Sequence, residues 1–207
     1  VPASSPPDSS RKMTGSVKVL RDSWDSMVRF VDEIAARKYV APANDSQYAD
    51  WLSFEKWETC RDNLWSTKDP EVRRWWDFLG ACYWRWDAER MAEMGRFIEK
   101  PEAERFAKMA DEARAYLRKN FLTPEGDLIE PLRVQQTAHL FALKLGLAPT
   151  EGAKKVIADR LVSLIEKNGN RLSTGFLGTS ILMDTITYDV GRPDLAYTLL
   201  LQHDCPS

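Results

Sequence analysis

The apolar residues of this chain recur at spacings of three and four, and no convincing run alternates at two. Leu20, Trp24, Met27, Val28, Val31 and Ile34 share one face of a helix that starts near Val17 and ends near Arg37-Lys38. Such a stripe is stable only when another element covers it, so the pattern commits the chain to helix-on-helix packing. The spacing returns between about Val72 and Ile98 in Trp75, Trp76, Leu79, Tyr83, Trp86, Met91, Met94 and Ile98. A third helix follows Pro101 and Glu102–Glu104, carries Phe106, Met109, Ala110, Ala113 and Leu117, and ends near Asn120. Thr123-Pro124-Glu125-Gly126-Asp127 reads as a turn. Further helices are expected at Val134 to Leu145 with Gly146 as C-cap, at Gly152 to Lys167 closed by Asn168-Gly169, around Ile181–Ile186, and at Leu195 to Gln202. The expected fold class is all-α, with the helices joined as hairpins. No repeat of roughly 34 residues is present, which argues against a tetratricopeptide-type solenoid.

A chain of 207 residues with 43% hydrophobic and 29% charged residues can bury one sizeable core. Twenty-nine Lys+Arg against 31 Asp+Glu leave a net charge of −2, so neither nucleic acid nor a membrane surface is an expected partner. No apolar run reaches the ~20 residues that span a bilayer. Residues 1–16, VPASSPPDSSRKMTGS, hold three prolines and five serines and read as a flexible arm before a domain at 17–207. Cys60, Cys82 and Cys205 are far apart and form no CxxC pair. They read as free thiols of a reducing compartment, which favours the cytoplasm, and not as a zinc site. Val1 in place of Met, and a stop directly after an apolar helix, suggest a piece of a longer chain.

Residues 40–70 form a long segment rich in Asp, Asn, Ser and Trp, and loops of this length are usually functional. Within it, Gln47-Tyr48-Ala49-Asp50-Trp51-Leu52-Ser53 sets Asp50 beside Trp51. The ring could stack on a sugar while the carboxylate accepts hydroxyl hydrogen bonds; the competing reading is a capped turn with Trp51 buried and Asp50 solvated. The tryptophans crowded from Trp51 to Trp86 are read first as core and second as a sugar-stacking surface. Gln135-Gln136-Thr137-Ala138-His139 opens a helix, and its amides and hydroxyl could face a polar cavity. His139 has no partner at metal spacing and reads as a packing histidine, as does His203. Ser173-Thr174-Gly175-Phe176-Leu177-Gly178-Thr179-Ser180 has no lysine after its second glycine and no preceding strand, so a phosphate loop is excluded. Its local reading is a helix start, capped by Ser173 or Thr174, with Gly178 as a point of close helix approach. No nucleophile elbow or Cys–His pair occurs, so no catalytic residue, cofactor or metal is assigned.

Several of these stretches, in order, resemble the catalytic barrel of bacterial α-L-rhamnosidases, glycoside hydrolase family 78. The most specific is RLSTGFLGTSILMDTITYDVGRPDLAYTLLLQHDCPS, Arg171 to Ser207. QQTAHLFALKLGLAP, Gln135 to Pro149, is similar to the helix before it, and YWRWDAERMAEMGRFI, Tyr83 to Ile98, also fits. YADWLS, Tyr48 to Ser53, resembles the family's Gly-Asp-Trp-Leu loop, with Ala49 in place of the glycine. The resemblance implies part of an (α/α)6 toroid, inverting hydrolysis of terminal α-L-rhamnosides, a rhamnoside as partner and no cofactor. It also implies that Asp50 and Trp51 face the sugar pocket, Trp51 as a stacking wall and Asp50 as a hydroxyl acceptor. The family's acid lies in an Arg-Asp-Glu motif before the matching region and its base in an Ala-Thr-Thr-Ile-Trp-Glu motif after the Pro-Ser step. Neither motif occurs in these 207 residues, so the chain alone is expected to be inactive. Seven helices are too few to close six hairpins, and the exposed apolar faces would favour self-association. The alternatives are a non-catalytic helical module that binds sugar or a protein, and an unrelated α-helical interaction domain.

Overall fold

The computed structural model of the chain describes residues 17–37, 50, 53 and 70–203. The proline- and serine-rich arm, most of the 40–70 segment, Trp51, Trp57, Trp65, Cys60 and Cys205 lie outside the described residues. Seven α-helices follow one another among the described residues: α1 Lys18–Ala36, α2 Pro70–Phe97, α3 Ala103–Phe121, α4 Gln136–Lys144, α5 Glu151–Lys167, α6 Phe176–Asp184 and α7 Pro193–Leu200. The all-α expectation holds: the sole β-type pairing among them is an isolated bridge from Leu122 to Leu128. Two elements differ from the periodicity. Leu132–Val134 turn as a 3-10 helix and Gln135 is extended, so α4 starts later than the apolar pattern does. At its other end, α6 widens into a π-helical turn, Thr185–Asp189, where the Val190 N–H donates to the Thr185 carbonyl at 3.0 Å.

The stripe of α1 buries Leu20, Trp24 and Val31 against α2. Helices α2 and α3 form a hairpin whose tight turn is closed by the Lys100 N–H on the Gly95 carbonyl at 2.8 Å. Gly95 lies where three helices meet. A Cβ there would stand 2.8 Å from Cη2 of Trp24 and 3.0 Å from Cβ of Ala103. The ring of Trp24 meets that of Phe106 edge-on, with centroids 6.2 Å apart. A second, larger core takes Trp75, Trp76, Phe78 and Phe121 from the hairpin and adds α4, α5, α6 and α7. Trp24 is a core residue, and so are Trp75, Trp76 and Trp84, the latter three as the first reading of the aromatic crowd expected. Cys82 is a buried free thiol, and burial pushes its pKa well above the usual thiol range.

Helix α4 is the hub. It packs on α5, on α6 and on the π turn, and every residue from 136 to 143 is buried. A helix buried all round needs its polar residues satisfied internally, which makes its Gln, Thr and His informative. From α3, the Arg118 guanidinium donates to the carbonyls of Leu147 and Ala148, at 2.8 and 2.9 Å, just beyond the C-terminus of α4. No helix among the described residues is long and apolar enough to cross a membrane. Tyr197, Leu200 and Leu201 stand exposed at the end of α7.

Replacing Gly95 by Ala is expected to force Trp24 and Ala103 away from α2 and to cost about 1–3 kcal/mol. That is a melting-temperature loss of roughly 2–4 °C per kcal/mol in a domain of this size, read by far-ultraviolet circular dichroism. An unchanged melting temperature would show that the three helices are not in contact there.

Candidate functional site

Helix α6 starts inside the Ser173–Ser180 stretch, and its own residues do not cap it. The N-cap position is Gly175, which has no side chain, and the first turn holds no acidic residue. The expectation of a Ser173 or Thr174 cap is therefore corrected: the Thr174 hydroxyl lies 2.8 Å from the Thr179 hydroxyl instead. The group that caps α6 comes from far upstream. One carboxylate oxygen of Asp50, Oδ1, accepts the N–H groups of Leu177 at 2.7 Å and Gly178 at 3.1 Å. The other, Oδ2, accepts the N–H of Gly175 at 2.8 Å and the hydroxyl of Thr137 at 2.5 Å. Asp50 is fully buried, which corrects the reading of a capped turn with this carboxylate in solvent. A buried carboxylate is tolerated when donors surround it, and the positive end of a helix is the natural place for it. Here three N–H groups that a helix start leaves without partners are satisfied together.

Thr137 brings α4 into the same cluster, and Gly178 lets it in. A Cβ on Gly178 would lie 2.2 Å from the Thr137 hydroxyl oxygen and 2.9 Å from Cβ of Thr174, so close approach requires glycine, as the sequence suggested. Gln136, one residue earlier on α4, holds the other end of the stretch. Its amide nitrogen donates to the Arg171 carbonyl at 3.1 Å, and its amide oxygen accepts the Ser173 N–H at 2.9 Å. Two adjacent residues of α4 therefore hold the chain from Arg171 to Gly178 in place, Thr137 acting through Asp50.

Gln135 and His139 lie behind this cluster, one helical turn apart. The imidazole Nδ1–H donates to the Gln135 carbonyl at 2.7 Å, because a carbonyl can only accept. That leaves Nε2 as a bare acceptor, buried and without a hydrogen-bond partner among the described residues, as are both ends of the Gln135 amide. His139 is a packing histidine, as expected, and burial lowers its pKa from 6.5 to about 4. Nearby, Asp127 receives the Arg160 guanidinium at 3.0 Å and ion-pairs with Arg133 at 2.9 Å; this clamp had no signal in the sequence. Among the described residues, no group of three or more His, Cys, Asp or Glu is placed to hold a metal ion.

Of the two expected sugar-site residues, Trp51 lies outside the described residues. Asp50, the expected hydroxyl acceptor, is found accepting four hydrogen bonds from the protein. The amide of Gln136, expected to face a polar cavity, instead binds the backbone of Arg171 and Ser173, partners that the sequence did not indicate. The residue's type and its place in the first turn of a helix were visible, but a glutamine there is equally common on a solvated surface.

His139 gives the domain a pH dependence with a definite sign. The folded state keeps it neutral down to about pH 4, while the unfolded chain takes up a proton below about 6.5. Stability is thus fully present above pH 6.5 and falls by roughly 3 kcal/mol as pH drops to 4. Denaturant unfolding across that range, compared with His139→Asn, is expected to show a steeper loss for the unchanged chain. Parallel curves would contradict a buried neutral histidine.

Comparison with known proteins places this chain in a family. The model of the bacterial alpha-L-rhamnosidase 6 hairpin glycosidase domain matches residues 5–207. An alpha-L-rhamnosidase of Streptomyces avermitilis is 31% identical over 160 residues, which are 77% of this chain and 13% of that protein. One from an Alteromonas species is 29% identical over 197 residues, 94% of this chain and 20% of that protein. The crystal structure of the Streptomyces avermitilis alpha-L-rhamnosidase complexed with L-rhamnose superposes with a TM-score of 0.76 at 28% identity, covering 95% of this chain and 17% of that one. The native alpha-L-rhamnosidase of Aspergillus terreus, at 22% identity and a TM-score of 0.75 over 93% of this chain and 21% of that one, shares the fold. The chain thus spans a fifth or less of the length of the curated relatives cited here. The chain belongs to the bacterial α-L-rhamnosidase six-hairpin glycosidase domain family.

Proposed function

We propose that this chain supplies part of the sugar pocket of an inverting α-L-rhamnosidase and that the hydrolytic carboxylates come from outside its 207 residues. The observation that carries this is the meeting of three family-like stretches at one point: Asp50 of YADWLS, Thr137 of QQTAH and Gly175–Gly178 of STGFLGTS. Sugar pockets need rigid walls, and this junction fixes a loop and the starts of two helices. Trp51, the next residue after Asp50, is the proposed stacking wall. An inverting enzyme also needs a general acid, and a general base with a water between it and the sugar. Neither the Arg-Asp-Glu nor the Ala-Thr-Thr-Ile-Trp-Glu motif is in the sequence, and no other carboxylate pair is assigned that work. The sugar named in the Streptomyces avermitilis structure, L-rhamnose, supports the substrate class.

Two measurements test this. The purified 207-residue protein is expected to release no sugar from an aryl α-L-rhamnoside, and measurable release would overturn the division of labour. In a protein that carries the complete toroid around this sequence, Trp51→Ala is expected to lower kcat/KM about five- to tenfold, the scale of one aromatic stacking contact. Unchanged kinetics would remove Trp51 from the pocket.

A further inference from the structure

We infer that Asp50 is a positioning residue, a latch that docks its own loop on the N-terminus of α6 and against α4, and that it does not itself take a sugar hydroxyl. An ionised carboxylate offers about four lone-pair sites. All four are taken here, by the N–H groups of Gly175, Leu177 and Gly178 and by the hydroxyl of Thr137. The residue has no exposed surface from which to reach a ligand. Accepting a sugar hydroxyl would require uncovering the carboxylate and giving up at least one of these bonds. The backbone carbonyl of Asp50 also accepts the Ser53 N–H at 3.1 Å, which ties together the two described residues of this segment. The latch is assembled from parts that have no value separately. Gly175 brings no cap of its own, Gly178 leaves the gap through which the Thr137 hydroxyl approaches, and Asp50 brings the charge. Its effect on sugar binding is indirect, through the placing of the loop, and in that respect it rests on the reading of the site as a rhamnoside pocket.

The test uses the whole 207-residue chain and two independent readouts. Asp50→Asn keeps the shape but turns one acceptor into a donor that faces N–H and O–H groups. Thr137→Val removes one bond and leaves the carboxylate in place, and Thr137→Ser restores the hydroxyl. Amide hydrogen exchange at Leu177 and Gly178 is expected to accelerate roughly tenfold or more in Asp50→Asn, and less in Thr137→Val. It should return towards the original rate in Thr137→Ser, while the amides of α2 and α3 stay as they were. Exchange at Leu177 and Gly178 that is unchanged in Asp50→Asn and in Thr137→Val would overturn the latch. The second readout is calorimetric titration with L-rhamnose. A positioning role predicts that Thr137→Val weakens binding in the same direction as Asp50→Asn, with recovery in Thr137→Ser. Weakening in Asp50→Asn alone would make Asp50 a direct sugar ligand and overturn the inference. If the unchanged chain binds no rhamnose, the part of the pocket it supplies is too small to bind the sugar alone, and exchange alone decides the latch.

Discussion

A buried negative charge at the start of a helix organises this domain. The Asp50 carboxylate is out of water, and burial of an ion without donors would be prohibitively costly. Four donors around it remove that cost, and three of them are backbone N–H groups that α6 would otherwise leave without partners. The fourth, the Thr137 hydroxyl, ties the cluster to the helix at the centre of the domain. Residues 50, 137 and 175–178 are widely separated in sequence, so their meeting depends on the whole hairpin arrangement being in place.

The helices were legible because their apolar spacing is a local property. Leu20, Trp24 and Val31 could be placed inward from α1 alone, and all three are buried. The central position of α4 was not legible. Its segment has apolar residues on all sides, and periodicity cannot say which neighbours surround a helix. The widening of α6 at Thr185–Asp189 was also hidden, since a single shift in hydrogen-bond register hardly alters an apolar pattern.

The candidate site divides in the same way. Gly178 was readable as a close-packing point because two glycines among hydroxyls, inside a helical context, leave few other uses. The cap was misread for a physical reason. Capping rules describe residues next to the helix in sequence, and they favour Ser173 or Thr174. Here the neighbouring N-cap is a glycine and the anion arrives through the tertiary fold. Sequence proximity made Asp50 and Trp51 look like one sugar-binding pair, whereas the carboxylate of Asp50 is turned to the protein's own amides.

Membership of the rhamnosidase six-hairpin family gives this arrangement a setting: a rigid junction where a loop and two helix starts converge. The physical claim beneath it concerns particular hydrogen bonds, and these can be observed directly. In the isotope-labelled chain, scalar couplings transmitted across hydrogen bonds should link the amide nitrogens of Gly175, Leu177 and Gly178 to the side-chain carboxyl carbon of Asp50. Detection of those couplings is the expected result. Their absence, in spectra where the ordinary backbone couplings within α6 are seen, would contradict Asp50 as the cap of that helix.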